Sequence, residues 1–426
     1  SKAEWLSNFA IRCTSPESAP GSVVFLEVSN NGVDFSTNNI PFRFSETPRV
    51  NTLIPAMGSI HGGSRILVGS NNVVKSYQYF CKFSGVEQSI EASFINSTFL
   101  ECIAPAQKTP GHSCVEISNN NVDFSDDCVS FEYTSVPFVT GLNPKHGITT
   151  GNTRVTVTGT NFRAGKMKCR FGGSEATKVT ILSNTTIECV TPSNVQGWVH
   201  VEISNNNGVD FTQNGQRFLF VEPPQIHYVY PESGPEAGST FLMIGGSNFH
   251  RSTELSCHFF DIDYESKIPV ASSSASWISS SAITCLSPSH QPCTVRVSLS
   301  SNGQQYTNNN IQFKYHSRIG VATLTPSHGS LQGGTSVMLK GTGFVNGSRL
   351  SCRFDDLIVL ATYLSDTLIS CTTPAHQQGV VLVEVSNNGI DFSVENGEFE
   401  FIVVTRIMKV SPRTGPTVGG TKLLVT

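Results

Sequence analysis

The chain has 426 residues, of which 28 are Lys or Arg and 32 are Asp or Glu, for a formal net charge of −4. Charged residues make up 14% of the total, against roughly 25% in a usual soluble domain, so a basic nucleic-acid footprint and a polybasic membrane patch are both excluded. No apolar run approaches the ~18–20 residues that cross a bilayer as a helix, and 38% hydrophobic residues, with 27 Phe spread along the chain, exclude disorder.

Length alone predicts about three domains, or more if they are small. The first residue is not Met and no signal peptide follows, so the sequence is read as a fragment of a longer chain. Along the chain one pattern recurs, which points to a repeat architecture. Each unit opens with Pro-x-x-Gly-x-x-x-Gly, at Pro55, Pro144, Pro231, Pro326 and Pro412. Alternating apolar sequence follows, such as Val155 and Val157 or Val337 and Leu339, and ends at Gly-x-Asn-Phe (Gly159 to Phe162, Gly246 to Phe249). The fourth copy has Gly341-Thr342-Gly343-Phe344 there, and the first drifts to Gly69-Ser70-Asn71-Asn72. Cys-x-Phe comes next, at Cys81, Cys169, Cys257 and Cys352, then Cys-x-x-Pro at Cys13, Cys102, Cys189, Cys285 and Cys371. A Ser-Asn-Asn-Gly-Val-Asp-Phe-Ser-like run closes the unit at Ser29 to Ser36, Ser118 to Ser125, Ser204 to Thr212 and Ser386 to Ser393. In the third complete copy this run is degenerate: Ser300-Ser301-Asn302-Gly303 leads to Tyr306, and Gln305 stands where the others have Asp34, Asp123, Asp210 and Asp391.

Alternation with period two, few helix signals and frequent Gly, Pro and Asn predict an all-β unit. Asn31-Gly32 and Asn388-Gly389 are read as type I′ hairpin turns, and hydrogen bonding within the turn accounts for the Asp that follows. About seven short strands per unit of roughly 87 residues predict an immunoglobulin-type β-sandwich.

Taken together, these motifs resemble the IPT/TIG domains, the immunoglobulin-like modules of plexins, Met-type receptors and some transcription factors. The cysteine pairs and Asn-rich hairpins most resemble the large extracellular TIG arrays of protists. The resemblance implies a tandem array of IPT/TIG sandwiches. Half a repeat is expected over 1–46, complete repeats over 48–134, 137–221, 223–316 and 318–403, and the opening strands of a further one over 405–426. Linkers of two or three residues, several with Pro, restrict freedom at the joints. With each sandwich about 30–40 Å long, the expected shape is an elongated rod.

The repeat register pairs Cys81 with Cys102, Cys169 with Cys189, Cys257 with Cys285 and Cys352 with Cys371. Cys114 and Cys128 flank the first complete copy's hairpin and are expected to bridge it. Cys13 and Cys293 fall outside this pairing, Cys293 being read as a thiol or an interchain link. Such pairs imply an extracellular compartment, and the sequons at Asn96, Asn184 and Asn346 predict a glycoprotein carrying covalent N-glycans.

Other motifs are weaker. Gly420-Thr421-Lys422 has the wrong order for a phosphate loop, and a strand follows rather than a helix. Asp261-Ile262-Asp263-Tyr264-Glu265 places three carboxylates on one strand face, but no Gly-centred loop supports a Ca²⁺ site there, or at Asp126-Asp127. The eleven His are scattered singly, and no Gly-x-Ser-x-Gly elbow occurs. The chain is therefore read as no enzyme, with no cofactor or metal. Two functions fit. The one favoured by the low-charge surface is an extracellular structural protein that forms or coats a fibre or cell-surface appendage by packing against copies of itself or other extracellular TIG-repeat or matrix proteins. The other is an adhesion or receptor ectodomain stalk of plexin-like type that binds a protein or glycan ligand.

Overall fold

The computed structural model describes residues 1–71, 73–75, 77–262, 268–404 and 407–426. Strands, turns and bends account for all regular structure among them, with no helix. The chain divides into two compact units: residues 1–145, 154–192 and 198–219, and residues 146–153, 193–197 and 220–426.

The second unit shows the repeat most plainly, in residues 320–402. Its eight strands, in chain order, are Gly320–Thr325, His328–Ser330, Ser336–Thr342, Ser351–Phe354, Leu357–Ser365, Leu368–Thr372, Gly379–Ser386 and Gly397–Ile402. Across the sheet they lie in the order first, third, sixth, fifth, fourth, seventh, eighth, second. The nine-residue strand Leu357–Ser365 pairs with Ser351–Phe354 at one end and Leu368–Thr372 at the other, so one strand serves both faces of the sandwich. Pairing is antiparallel except between His328–Ser330 and Gly397–Ile402, which run parallel. The same order recurs from Gln225–Tyr230 to Ile311–His316, and in the first unit from Arg49–Ile54 to Val129–Thr134. In the next repeat of the first unit the long strand is broken into Ser174–Glu175 and Lys178–Ile181, which pair with Lys168–Phe171 and Thr186–Val190 respectively.

Period-two burial builds the cores. In Tyr79–Phe83 and Phe99–Ile103 alternate residues are buried, and Ile66, Val68, Phe83, Leu100, Val115, Ile117 and Phe131 are fully enclosed. Each such side chain contributes on the order of 1.5–3 kcal/mol. The abundant Phe has a repeated use as edge-to-face pairs: Phe83 with Phe131 at 5.9 Å, Phe171 with Phe218 at 5.2 Å, and Phe354 with Phe399 at 5.8 Å between ring centres. Disulfides join Cys81 to Cys102, Cys169 to Cys189, Cys257 to Cys285 and Cys352 to Cys371 inside these cores, and Cys114 to Cys128 across the hairpin.

All five Pro of the Pro-x-x-Gly motif follow a cis peptide bond. Residues 1–46 form two hairpins, Ala3–Ser7 with Ala10–Cys13 and Val23–Leu26 with Ile40–Arg43, whose strand residues are all exposed. Val410–Ser411 pairs with Leu424–Val425.

Asn31-Gly32 and Asn388-Gly389 are not type I′ turns, since neither Asn has positive φ, whereas in the run Ser204 to Thr212 the consecutive residues Asn207 (63°) and Gly208 (87°) both do. Gly379–Ser386 and Gly397–Ile402 are joined by the whole of 387–396, and in the Ser-Asn-Asn-Gly stretch only Gly389 has positive φ (76°). Asn121 takes that left-handed position in the first complete repeat, with φ 63°. A type I′ turn needs two such residues in succession; where only one is present, side-chain bonds shape a longer loop instead.

Candidate functional site: the joints between repeats

The loop is built by its own polar side chains. Ser386 Oγ accepts from the Gly389 amide at 2.8 Å, and Asn388 Oδ1 accepts from the Ile390 and Asp391 amides at 3.0 and 2.9 Å. Asn388 Nδ2 donates to Asp391 Oδ2 at 2.7 Å. Asn387 ties the loop to the Gly-Thr-Gly-Phe turn of its own repeat, donating to Gly343 O at 2.8 Å and accepting from the Val345 amide at 3.0 Å. Phe392 lies under the Arg353 guanidinium, 4.3 Å from its ring centre, while Arg353 Nε donates to Glu384 at 2.6 Å. In the first unit Arg170 lies 3.9 Å over Phe211 and donates to Glu202 at 2.7 Å in the same way. Ser386, Asn387, Asn388, Asp391 and Phe392 of the motif thus each hold the loop in place.

What the loop presents is an acceptor aimed at the preceding repeat. Asp391 Oδ2 accepts from Thr240 Oγ1 at 2.8 Å, and Asn388 Nδ2 donates to Ser233 O at 2.8 Å. Thr240 is fully buried, two residues beyond the second Gly of its Pro-x-x-Gly-x-x-x-Gly motif. Gly234, the first Gly, is required by this packing, because a Cβ there would lie 2.2 Å from Thr240 Oγ1. Arg349 adds a bond to Tyr230 Oη at 2.9 Å, with its guanidinium 4.6 Å over the ring.

The joint recurs within the first unit. The Ser64 hydroxyl donates to Asp210, Asn206 Nδ2 donates to Met57 O at 3.4 Å, and Arg163 pairs with Glu132 at 2.6 Å. Within the second unit, the degenerate run at 300–306 makes a third joint with different chemistry. Gln305 Oε1 accepts from Thr153 Oγ1 at 3.2 Å, and its Nε2 adds a bond to Asn152 O at 3.0 Å. His146 Nε2 donates to Ser301 O at 3.0 Å, with the His250 ring 5.1 Å away. Burial lowers the pKa of both imidazoles, for His146 with a further contribution from His250 and a partial offset from Ser301. Burial likewise lowers the pKa of His316, beside the Asp391 joint; its bond to Ser317 and the charges of Asp391 and Glu236 oppose the shift, and Lys314 adds to it.

At Asp210 and Asp391, the Asp that the sequence assigns to turn bonding therefore has a second, longer-range partner that sequence reasoning missed. The available signal was that a Ser or Thr stands at the same place in every opening motif: Ser64, Thr153, Thr240, Thr335 and Thr421.

The remaining candidates are scattered. Asn96, Asn184 and Asn346 are exposed. Cys13 is exposed and in no disulfide; Cys293, also in none, lies 3.4 Å from His290 Nδ1. Asp127 accepts from the Val50 amide at 2.8 Å and so anchors the first strand of its repeat; Asp126 beside it is exposed. Of the acidic run at 261–265, Asp263, Tyr264 and Glu265 lie outside the described residues.

The chain matches the IPT/TIG domain at residues 48–133, 137–220, 224–315 and 321–401. Among known proteins it is similar to human fibrocystin-L, 25% identical over 428 residues, covering 98% of this chain and 10% of that protein. It is also similar to zebrafish (Danio rerio) plexin A3, 25% identical over 201 residues, covering 45% of this chain and 10% of that one. The chain thus spans about a tenth of the length of these relatives. Among solved structures it resembles the full extracellular region of plexin A4, with 19% identity, TM-score 0.36, and coverage of 82% of this chain and 30% of that one. By its repeated motifs, its sandwich topology and four matches in tandem, this chain belongs to the IPT/TIG domain family.

Proposed function

We propose that the four repeats act as an extracellular, receptor-type stalk. The observation that carries this reading is the recurrent joint: in three places a pre-shaped loop hydrogen-bonds to a buried Ser or Thr of the repeat before it. A device that fixes one repeat on the next serves a chain that must hold its ends apart. The relatives agree with it, since fibrocystin-L and the plexins match along such arrays. Five disulfides favour an oxidising, extracellular compartment, and exposed Asn96, Asn184 and Asn346 are the proposed glycan acceptors. The reading the low-charge sequence favoured, repeats packing into a fibre, has less support than the stalk, which was its alternative.

Small-angle scattering and analytical ultracentrifugation over a wide concentration range test this. A stalk gives a monomer whose maximum dimension is constant with concentration and shortens or broadens when Asp210 and Asp391 are both replaced by Ala. Concentration-dependent growth into filaments would overturn the proposal in favour of the fibre.

A further inference from the structure

Apart from the joints, one cluster in the second unit brings three potential metal ligands together. Asp261 ends the strand Ser256–Asp261, and His290 and Cys293 lie in the loop that leads into Thr294–Ser300. One donor atom from each lies within 4.8 Å of the other two, and all three residues are half-buried. We propose that Asp261, His290 and Cys293 bind a divalent transition ion of the zinc class.

The loop is held before any ion arrives. The His290 amide donates to Glu236 O at 2.9 Å, the Tyr315 amide donates to Cys293 O at 2.8 Å, and Tyr315 Oη donates to Pro288 O at 2.9 Å. The His290 ring rests on Tyr315, with ring centres 5.2 Å apart. Its Nδ1 lies 3.0 Å from Gln291 O and 3.4 Å from Cys293 Sγ, and its Nε2 faces Asp261 Oδ1 at 3.6 Å, so the ring stands between the thiol and the carboxylate. A backbone carbonyl that fixes the other ring nitrogen is the usual outer support of a metal-bound His.

The next repeat isolates what the thiol adds. There His376 donates from Nδ1 to Gln377 O at 3.0 Å, faces Asp355 across 3.7 Å from Nε2, and stacks on Phe401 at 4.9 Å. The position matching Cys293 is Gly379. The His–Asp pair is therefore shared by the two repeats. In the third complete repeat alone a thiol is added, supplying the soft third ligand that zinc favours. Binding would release the thiol proton of Cys293 to solvent. Ligand bonds of about 2.0–2.3 Å fit donor atoms this close after small side-chain rotations, with a fourth position left for water or an incoming ligand.

The test uses the full chain with Cys13→Ser, which leaves Cys293 as the one cysteine outside a disulfide. After chelator treatment, Co²⁺ and then Zn²⁺ are titrated. The expected result is one ion per chain, a thiolate-to-cobalt charge-transfer band that Zn²⁺ abolishes, and slower alkylation of Cys293 by iodoacetamide when Zn²⁺ is present. Cys293→Gly, which copies the neighbouring repeat, should remove the band. His290→Gln should weaken binding by more than about tenfold, with far-UV circular dichroism unchanged in both variants, whereas His376→Gln should have no effect. Alkylation that is indifferent to Zn²⁺, or a band that survives His290→Gln, would overturn the proposal; the alkylation measurement needs no change at the site itself.

Discussion

Replacing Asp391 with Ala should weaken the chain more than the same change at Asp123, and the difference measures the joint. Asp391 Oδ2 accepts two bonds: 2.7 Å from Asn388 within the loop and 2.8 Å from Thr240 in the preceding repeat. Losing the first costs about 0.5–1.5 kcal/mol, and losing the second leaves a buried hydroxyl without its acceptor, about 1–3 kcal/mol more. Asp123 accepts the equivalent loop bond from Asn120 at 2.8 Å, and among the described residues no hydrogen bond links its carboxylate to another repeat. Asp123→Ala should therefore lose only the smaller amount. Urea unfolding provides the totals, and amide hydrogen exchange over 233–240 reports the joint directly: it should accelerate in Asp391→Ala and not in Asp123→Ala. Thr240→Val removes the donor together with the need for an acceptor, so adding Asp391→Ala to it should cost less than Asp391→Ala alone by about 1–2 kcal/mol. Asp391→Gln should recover part of the loss, because Gln305 fills this role at Thr153. Equal losses for Asp391→Ala and Asp123→Ala, with unchanged exchange over 233–240, would refute the reasoning.

Three further outcomes follow from the same structure. His146, His250 and His316 have pKa values lowered from 6.5 by burial, so below that value the unfolded chain binds more protons than the folded one. Their joints should be stable above about pH 6.5 and lose stability as the pH falls through the folded values. Amide exchange at 146–153 and 316–319, compared between pH 7.5 and 5, checks this, and equal protection would contradict it. Replacing Cys352 and Cys371 together by Ala opens a loop spanning 19 residues; the expected loss is about 3 kcal/mol, read from the unfolding midpoint of the oxidised chain. Expressed through a eukaryotic secretory route, the chain should lose mass on enzymatic removal of N-glycans, in up to three steps that disappear one by one with Asn96→Gln, Asn184→Gln and Asn346→Gln.

The repeat, the all-β class and the sandwich were legible because their causes are local and periodic. Alternation in stretches such as Tyr79–Phe83 sets which side chains are buried, and the recurring cysteines and glycines mark the same places in each unit. Register alone also placed cysteines of different strands beside each other. The loop was only half legible. Its Ser, Asn and Asp announce a turn, yet at Asn388-Gly389 one residue with positive φ, not two, forms it, because side-chain bonds do the shaping.

The joints were decided by tertiary structure. Asp391 and Thr240 are 151 residues apart, and neither has a local reason to seek the other. They meet because the parallel pairing of strands such as Ser233–Pro235 with Ile311–His316 carries the opening motif to the end of the sandwich that the next repeat's loop overhangs. Gln305 looks degenerate in sequence for the same reason. A longer side chain with an amide oxygen can accept the Thr153 bond and also donate to Asn152, which only its position in space reveals. The Asp261, His290 and Cys293 cluster is another case: strand pairing, not spacing along the chain, brings the carboxylate beside the loop. The amino-acid sequence by itself determined what each repeat is. How one repeat holds the next was left to the packing, because a hydrogen bond between rigid surfaces depends on where those surfaces end up.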